Sequence, residues 1–171
     1  RKNIHIQFVN VSFNSIGHRG CAAIADALLV NNGLLGISLR GNPLGEEGGL
    51  ALATMLKANS TLMSLDVGQC ELTTKSLVCM FIALGPHPSL CSLKIDKPLL
   101  RAGPQDLATV IQHLSQLLRI NKNLTELSMD YFNLTDEHLQ TLLPCLVQCD
   151  TLTHVSFVGN KLSRDGGVLL G

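Results

Sequence analysis

The sequence predicts an α/β solenoid of about six stacked strand–helix units, with a parallel sheet on the concave side and helices on the convex side. Three observations predict it. Apolar residues return with a fixed step, they hold the same internal spacing in every unit, and each unit then changes period from that of a strand to that of a helix.

The step is 28 residues from Ile6 to Leu34, Leu62 and Leu90, then 34 to Leu124 and 28 to Leu152. Counting from that residue, positions one, four and six are apolar: Ile6/Val9/Val11, Leu34/Ile37/Leu39, Leu62/Leu65/Val67, Leu90/Leu93/Ile95, Leu124/Leu127/Met129 and Leu152/Val155/Phe157. Position eleven is apolar too, from Ile16 through Leu44, Leu72, Leu100 and Leu134 to Leu162. The expected repeats are therefore 6–33, 34–61, 62–89, 90–123, 124–151 and 152–171.

Position nine carries Asn14, Asn42, Cys70 and Asn160, with Pro98 and Phe132 in repeats four and five. An amide there can bond backbone groups freed where the chain leaves its strand, and stacked amides form a ladder. Pro98 and Phe132 require a different solution in their own turns.

The second half of each unit pairs apolar residues four apart, as one helical face requires: Ile24/Leu28, Leu52/Leu56, Met80/Leu84, Leu114/Leu118 and Leu142/Leu146. Gly17, Gly45, Thr73, Thr135 and Ser163 precede these faces as expected N-caps. Gly20, Gly48 and Gly166 are expected where helices approach closely, and Asn31-Asn32-Gly33 and Gly85-Pro86-His87-Pro88 where they stop.

The motif LxxLxLxxN/CxL followed by a helix resembles the leucine-rich-repeat family in its longer, ribonuclease-inhibitor-like subclass, over residues 4–171. That resemblance implies a horseshoe whose concave sheet binds proteins. Leu93-Lys-Ile-Asp-Lys-Pro-Leu-Leu and the enlarged unit after it resemble, more narrowly, leucine-rich-repeat proteins of ciliated and germ cells. This implies a cytoplasmic scaffold subunit, with the motile-cilium axoneme as its place. Two other members of the family offer alternatives: the ligand-sensing repeats of NOD-like receptors, and a Ran GTPase-activating-type module with Arg40 as its arginine.

Residues between and just after the strand apolars belong to the concave face. Its informative members are Arg40, Asp66, Lys94, Asp96, Glu126, Asp130, Tyr131 and His154, with Phe8 and Val158 as apolar exceptions. Tyrosine and arginine recur among interface hot spots. Repeat four carries six extra residues, and Gly103 and Pro104 are expected to open a helix of four turns or more. Its leading loop offers a second docking feature. Pro144 is expected to kink the next helix or shift its boundary.

Catalysis finds no support. Six histidines fall at unrelated repeat positions, and GxxxxGK[ST], GxSxG and HExxH are absent. Cys145 and Cys149 lie four apart on an expected helical face but lack further metal ligands. No cofactor, metal or small-molecule substrate is expected. Thirteen basic and thirteen acidic residues cancel, so nothing steers nucleic acid or an anionic membrane toward the chain. Six scattered cysteines without a disulfide-type cap fit reduced thiols inside the cell. Four Asn-X-Ser/Thr patterns, at Asn10, Asn59, Asn123 and Asn133, read as by-products of the repeat. Neither end carries a polar cap, so the fragment is expected to continue, or to be covered by other chains, on both sides.

Overall fold

A computed structural model describes residues 3, 5–100 and 104–169. Short strands alternate with helices throughout: β1 (Phe8–Asn10), α1 (His18–Leu28), β2 (Gly36–Ser38), α2 (Gly45–Ala58), β3 (Ser64–Asp66), α3 (Thr74–Leu84), β4 (Ser92–Lys94), α4 (Pro104–Ile120), β5 (Glu126–Ser128), α5 (Asp136–Val147), β6 (His154–Ser156) and α6 (Arg164–Leu169). The strands form one parallel sheet in sequence order. Each position pairs with its equivalent in the next repeat, as Val9 with Ile37 and Leu65 with Leu93. Among the described residues, helices pack only on their neighbours in sequence. A strand is narrower than a helix, so this stacking bends the sheet inward.

Position four of each strand points into the core, where Leu65, Leu93 and Leu127 are at most 1% exposed. Ile6 and Val155 in the outermost repeats are more than a third exposed, because repeat burial comes from a neighbour on each side. The chain turns out of every strand at position eight. Phe13, Gly41, Gln69, Lys97, Tyr131 and Gly159 all have φ between 48° and 68°. From Phe13 to Tyr131, the N–H at this position donates to the position-seven carbonyl of the next repeat. That bond holds a left-handed conformation that a non-glycine residue otherwise avoids.

The position-nine ladder forms. Asn42 Nδ2 donates to its own Leu39 carbonyl and to Val11 of the preceding repeat, while its Oδ1 accepts from the Asn14 and Ile16 N–H groups. Asn160 does the same toward Phe157, Met129, Phe132 and Leu134. Cys70 replaces the amide with a thiol donating to the Leu39 carbonyl, and Phe132 fills its place in the core as an apolar residue.

A second ladder stands at the repeat ends, a role the expected helix stops at Asn31-Asn32-Gly33 and Gly85-Pro86-His87-Pro88 do not reveal and that extends to Asn59 and Asn121. Asn31, Asn59 and Asn121 each accept two backbone N–H groups on Oδ1. Asn59 and Asn121 also donate to the last helical carbonyl of the preceding repeat, Leu28 and Leu84. His87 takes the same place and accepts the Ser89 and Leu90 N–H groups on Nδ1. Its Nε2 makes no hydrogen bond, the one such buried side-chain atom among the described residues.

Several local expectations need correction. Helix α2 already includes Gly45, whose φ of 64° is not helical, so Leu44 rather than Gly45 precedes it. Thr73 and Thr135 cap as expected, each donating its N–H to the side chain three residues on. Gly48 and Gly166 do make room for the preceding repeat, at Cys21 and Asp136, but a Cβ on Gly20 would meet only its own Ile16. Helix α5 continues through Pro144 to Val147, so the missing N–H withdraws one bond without ending the helix. Cys149 therefore lies beyond α5, and the expected helical pairing with Cys145 does not exist. All six cysteines are free thiols, but only Cys21, Cys70 and Cys145 are buried. Gly103, the expected cap of α4, lies outside the described residues.

Candidate functional site: the inner sheet face

Three rows of side chains cross the inner face, from positions three, five and seven. Row three runs Phe8, Gly36, Ser64, Ser92, Glu126, His154; row five runs Asn10, Ser38, Asp66, Lys94, Ser128, Ser156; row seven runs Ser12, Arg40, Gly68, Asp96, Asp130, Val158. Seven of the eight expected site residues lie on these rows, and Tyr131 stands beside them at a position-eight turn.

Their charges are partly spent on one another. Arg40 Nη1 meets Asp96 Oδ2 at 2.6 Å and Asp66 Oδ1 at 3.4 Å. Burial works against the guanidinium charge, but hydrogen bonding and attraction to the two carboxylates outweigh it and raise the Arg40 pKa. Lys94 Nζ meets Glu126 Oε1 at 2.9 Å, and Ser92 Oγ donates to Glu126 Oε2 at 2.6 Å. The Ser92 hydrogen bond first, then Lys94, holds the Glu126 carboxyl below its ordinary range.

Two aspartates act as staples between repeats. Asp96 Oδ1 accepts from Ser128 Oγ at 2.6 Å and from the Asp130 N–H at 3.2 Å. Asp130 Oδ1 repeats the pattern with Ser156 Oγ at 2.6 Å and the Val158 N–H at 2.8 Å. Asp96 is thus buried rather than presented, its side chain only 4% exposed beneath Arg40. Asp130 is half-buried and has no ion pair among the described residues.

Large side chains on this face lie over glycines of the next repeat. A Cβ on Gly36 would stand 2.6 Å from the Phe8 ring, one on Gly41 2.4 Å from Phe13, and one on Gly159 2.3 Å from Tyr131. Each ring therefore rests against backbone with its other face open: Phe8 and Phe13 are 67% exposed and Tyr131 54%. Phe13 is not among the expected site residues. The signal for all three is an aromatic residue with a glycine 28 positions later.

No group of three or more potential metal ligands occurs among the described residues, and no described helix is long and apolar enough to cross a membrane. At repeat four, α4 is the longest helix at 17 residues. Leu99 and the start of α4 line an outer hollow of about 460 Å³ with Thr73, Lys75 and Cys79.

This geometry agrees with the comparisons. A leucine-rich-repeat family model matches residues 2–25 and 58–81. This is a leucine-rich-repeat chain. Human NACHT, LRR and PYD domains-containing protein 14 is 30% identical over 153 residues, 88% of this chain and 13% of that protein. Mouse leucine-rich repeat-containing protein 34 is 32% identical over 105 residues, 61% of this chain and 25% of that protein. The leucine-rich-repeat chain thus spans a quarter or less of these relatives. In fold it is similar to a solved structure titled Leiomodin-1 Actin-Binding Site 2, with a TM-score of 0.69, 24% identity, and coverage of 83% and 79% of the two chains. It is also similar to the tropomodulin C-terminal domain of Caenorhabditis elegans, with a TM-score of 0.68, 11% identity and coverage of 90% and 88%.

Proposed function

We propose that this chain is a non-catalytic protein-interaction domain that docks a partner on its inner sheet face, as a subunit of a larger intracellular assembly. One observation carries the reading. Residues of all six strands line two open hollows on the inner face, from Phe8 to Ser156, while the helices stack on one another along the other side. Arg40, Asp66, Lys94, Asp96, Glu126, Asp130, Tyr131 and His154 would form or support the docking surface. Asp96 would serve from below by fixing Arg40. The resemblance at Leu93–Leu100 to leucine-rich-repeat proteins of ciliated and germ cells favours a place in the ciliary axoneme.

Crosslinking with mass spectrometry in native extract tests the docking face. Partner crosslinks should form at Lys94 and Lys97, on and beside the inner face, and not at Lys57 or Lys122 near the helix ends. The reverse pattern would overturn the reading.

A second reading is the ligand-sensing repeat array of a NOD-like receptor, favoured by the 88% of this chain that aligns with NACHT, LRR and PYD domains-containing protein 14. It requires a nucleotide-binding domain in the same polypeptide, which the full-length transcript would reveal. A GTPase-activating role fits less well, because a catalytic arginine must reach the transferred phosphate. Here Asp96 and Asp66 already hold the Arg40 guanidinium.

A further inference from the structure

We propose that the partner of the inner face is a protein segment presenting a lysine or arginine to Asp130 and an apolar side chain to Phe8, about 23 Å apart. The inference rests on the docking role above and adds the partner's chemistry.

Charge supplies the first half. The three strand rows hold four carboxylates, Asp66, Asp96, Glu126 and Asp130, and two fixed cations, Arg40 and Lys94. Both cations are engaged within the face, Arg40 with Asp96 and Asp66, and Lys94 with Glu126. The rows therefore carry two negative charges in excess, and among the described residues Asp130 is their one carboxylate with no ion pair. It borders a hollow of about 550 Å³ that also includes Glu126, His154 and Ser156. An anionic segment would meet net repulsion there, whereas a lysine or arginine completes the pairing.

Phe8 supplies the second half. Its ring lies over Gly36 beside a hollow of about 320 Å³ that reaches Ser38, Ser64, Asp66 and Lys94. Because Gly36 has no side chain, the exposed ring is backed by the sheet and loses little freedom when covered. Rigid aromatic groups of this kind dominate interface energetics. Asp66 and Lys94 border both hollows, so a single segment can run from one to the other. Phe8 lies in β1 at position three and Asp130 just after β5 at position seven, so four strand spacings across and four residues along the strand direction separate them by about 23 Å.

The probes are two synthetic helical peptides of equal length, each with phenylalanine at one end, one bearing arginines and the other glutamates at the far end. Amide shifts of the isotope-labelled 171-residue chain locate binding, and fluorescence anisotropy measures it. The arginine peptide should shift amides of β1 to β6 and lose affinity as salt rises from about 50 to 500 mM. Asp130→Asn, which keeps the acceptor for Ser156, and Phe8→Ala should each weaken it about tenfold. Equal or tighter binding of the glutamate peptide at the same amides would overturn the cationic partner while leaving the docking face intact. No binding of either peptide, or no effect of both substitutions, would also overturn it. Shifts confined to the helices would overturn the inference and the docking face together.

Discussion

Arg40 and Asp96 form an ion pair at 2.6 Å although two repeats and 56 residues separate them. The guanidinium crosses the intervening repeat where position seven is Gly68. A Cβ there would stand 2.5 Å from Arg40 Nη1. One missing side chain therefore lets three repeats share a single electrostatic clip. Removing Arg40 strands the Asp96 carboxylate, which is only 4% exposed. Arg40→Ala is expected to cost about 3 kcal/mol, the low end for a broken buried pair because Arg40 itself is partly exposed. Gly68→Ala should cost less, since the arginine can bend aside. Urea denaturation of both variants measures this, and a parent-like midpoint for Arg40→Ala would show that the clip contributes nothing.

The packing of Phe13 over Gly41 admits a double-mutant test. Phe13, Gln69, Lys97 and Tyr131 all accept the left-handed turn, so φ alone does not demand glycine at position eight. The ring of Phe13 does, because a Cβ on Gly41 would stand 2.4 Å from it. Gly41→Ala should therefore destabilise the parent more than it destabilises Phe13→Ala, with a coupling of about 1 kcal/mol. Equal costs in the two backgrounds would place the strain in the backbone instead.

His87 makes stability depend on pH in one direction. Burial pushes its pKa down from the usual value, with the Asn59 backbone opposing. The unfolded chain then binds a proton that the folded chain refuses. Stability is full above the unfolded pKa of about 6.5 and falls as pH drops from there toward the folded pKa. His87→Asn should remove that dependence, because asparagine at the equivalent Asn59 and Asn121 satisfies both sides of the ladder. At pH 7 the variant should stay within about 1 kcal/mol of the parent. Thermal melts between pH 5 and 7.5 decide it, and an unchanged slope in the variant would assign the effect elsewhere.

Thiol reactivity should follow burial. Desolvation pushes Cys21 up to about 12 and Cys70 to about 11, so both stay protonated at neutral pH. Alkylation of the folded protein followed by mass spectrometry should label the half-buried Cys79, Cys91 and Cys149 first. Early labelling of Cys70 would contradict its place in the amide ladder.

Much of this architecture was legible because it recurs. The leucine positions and the change of period appear in nearly every repeat and the position-nine amide in three of the six, so their register emerges from spacing. The second ladder was equally periodic, at Asn31, Asn59, His87 and Asn121, but a histidine among asparagines hid its common role as an acceptor. What spacing cannot show is a contact that skips a repeat. Spacing places both Arg40 and Asp96 on the concave face, yet their pairing depends on the absence of a side chain at Gly68. The depth of Asp96 follows from that pairing, so burial there could not be read from its neighbours in sequence.

Sedimentation of the native assembly tests the docking face most directly, using one substitution on each side of the solenoid. Ser64 lies half-buried on the inner face and Thr54 is exposed on α2. With folding verified by circular dichroism, Ser64→Arg should release the chain from its fast-sedimenting complex, while Thr54→Arg should leave it bound. Release by Thr54→Arg with retention of Ser64→Arg would move the interface to the helices and contradict the account.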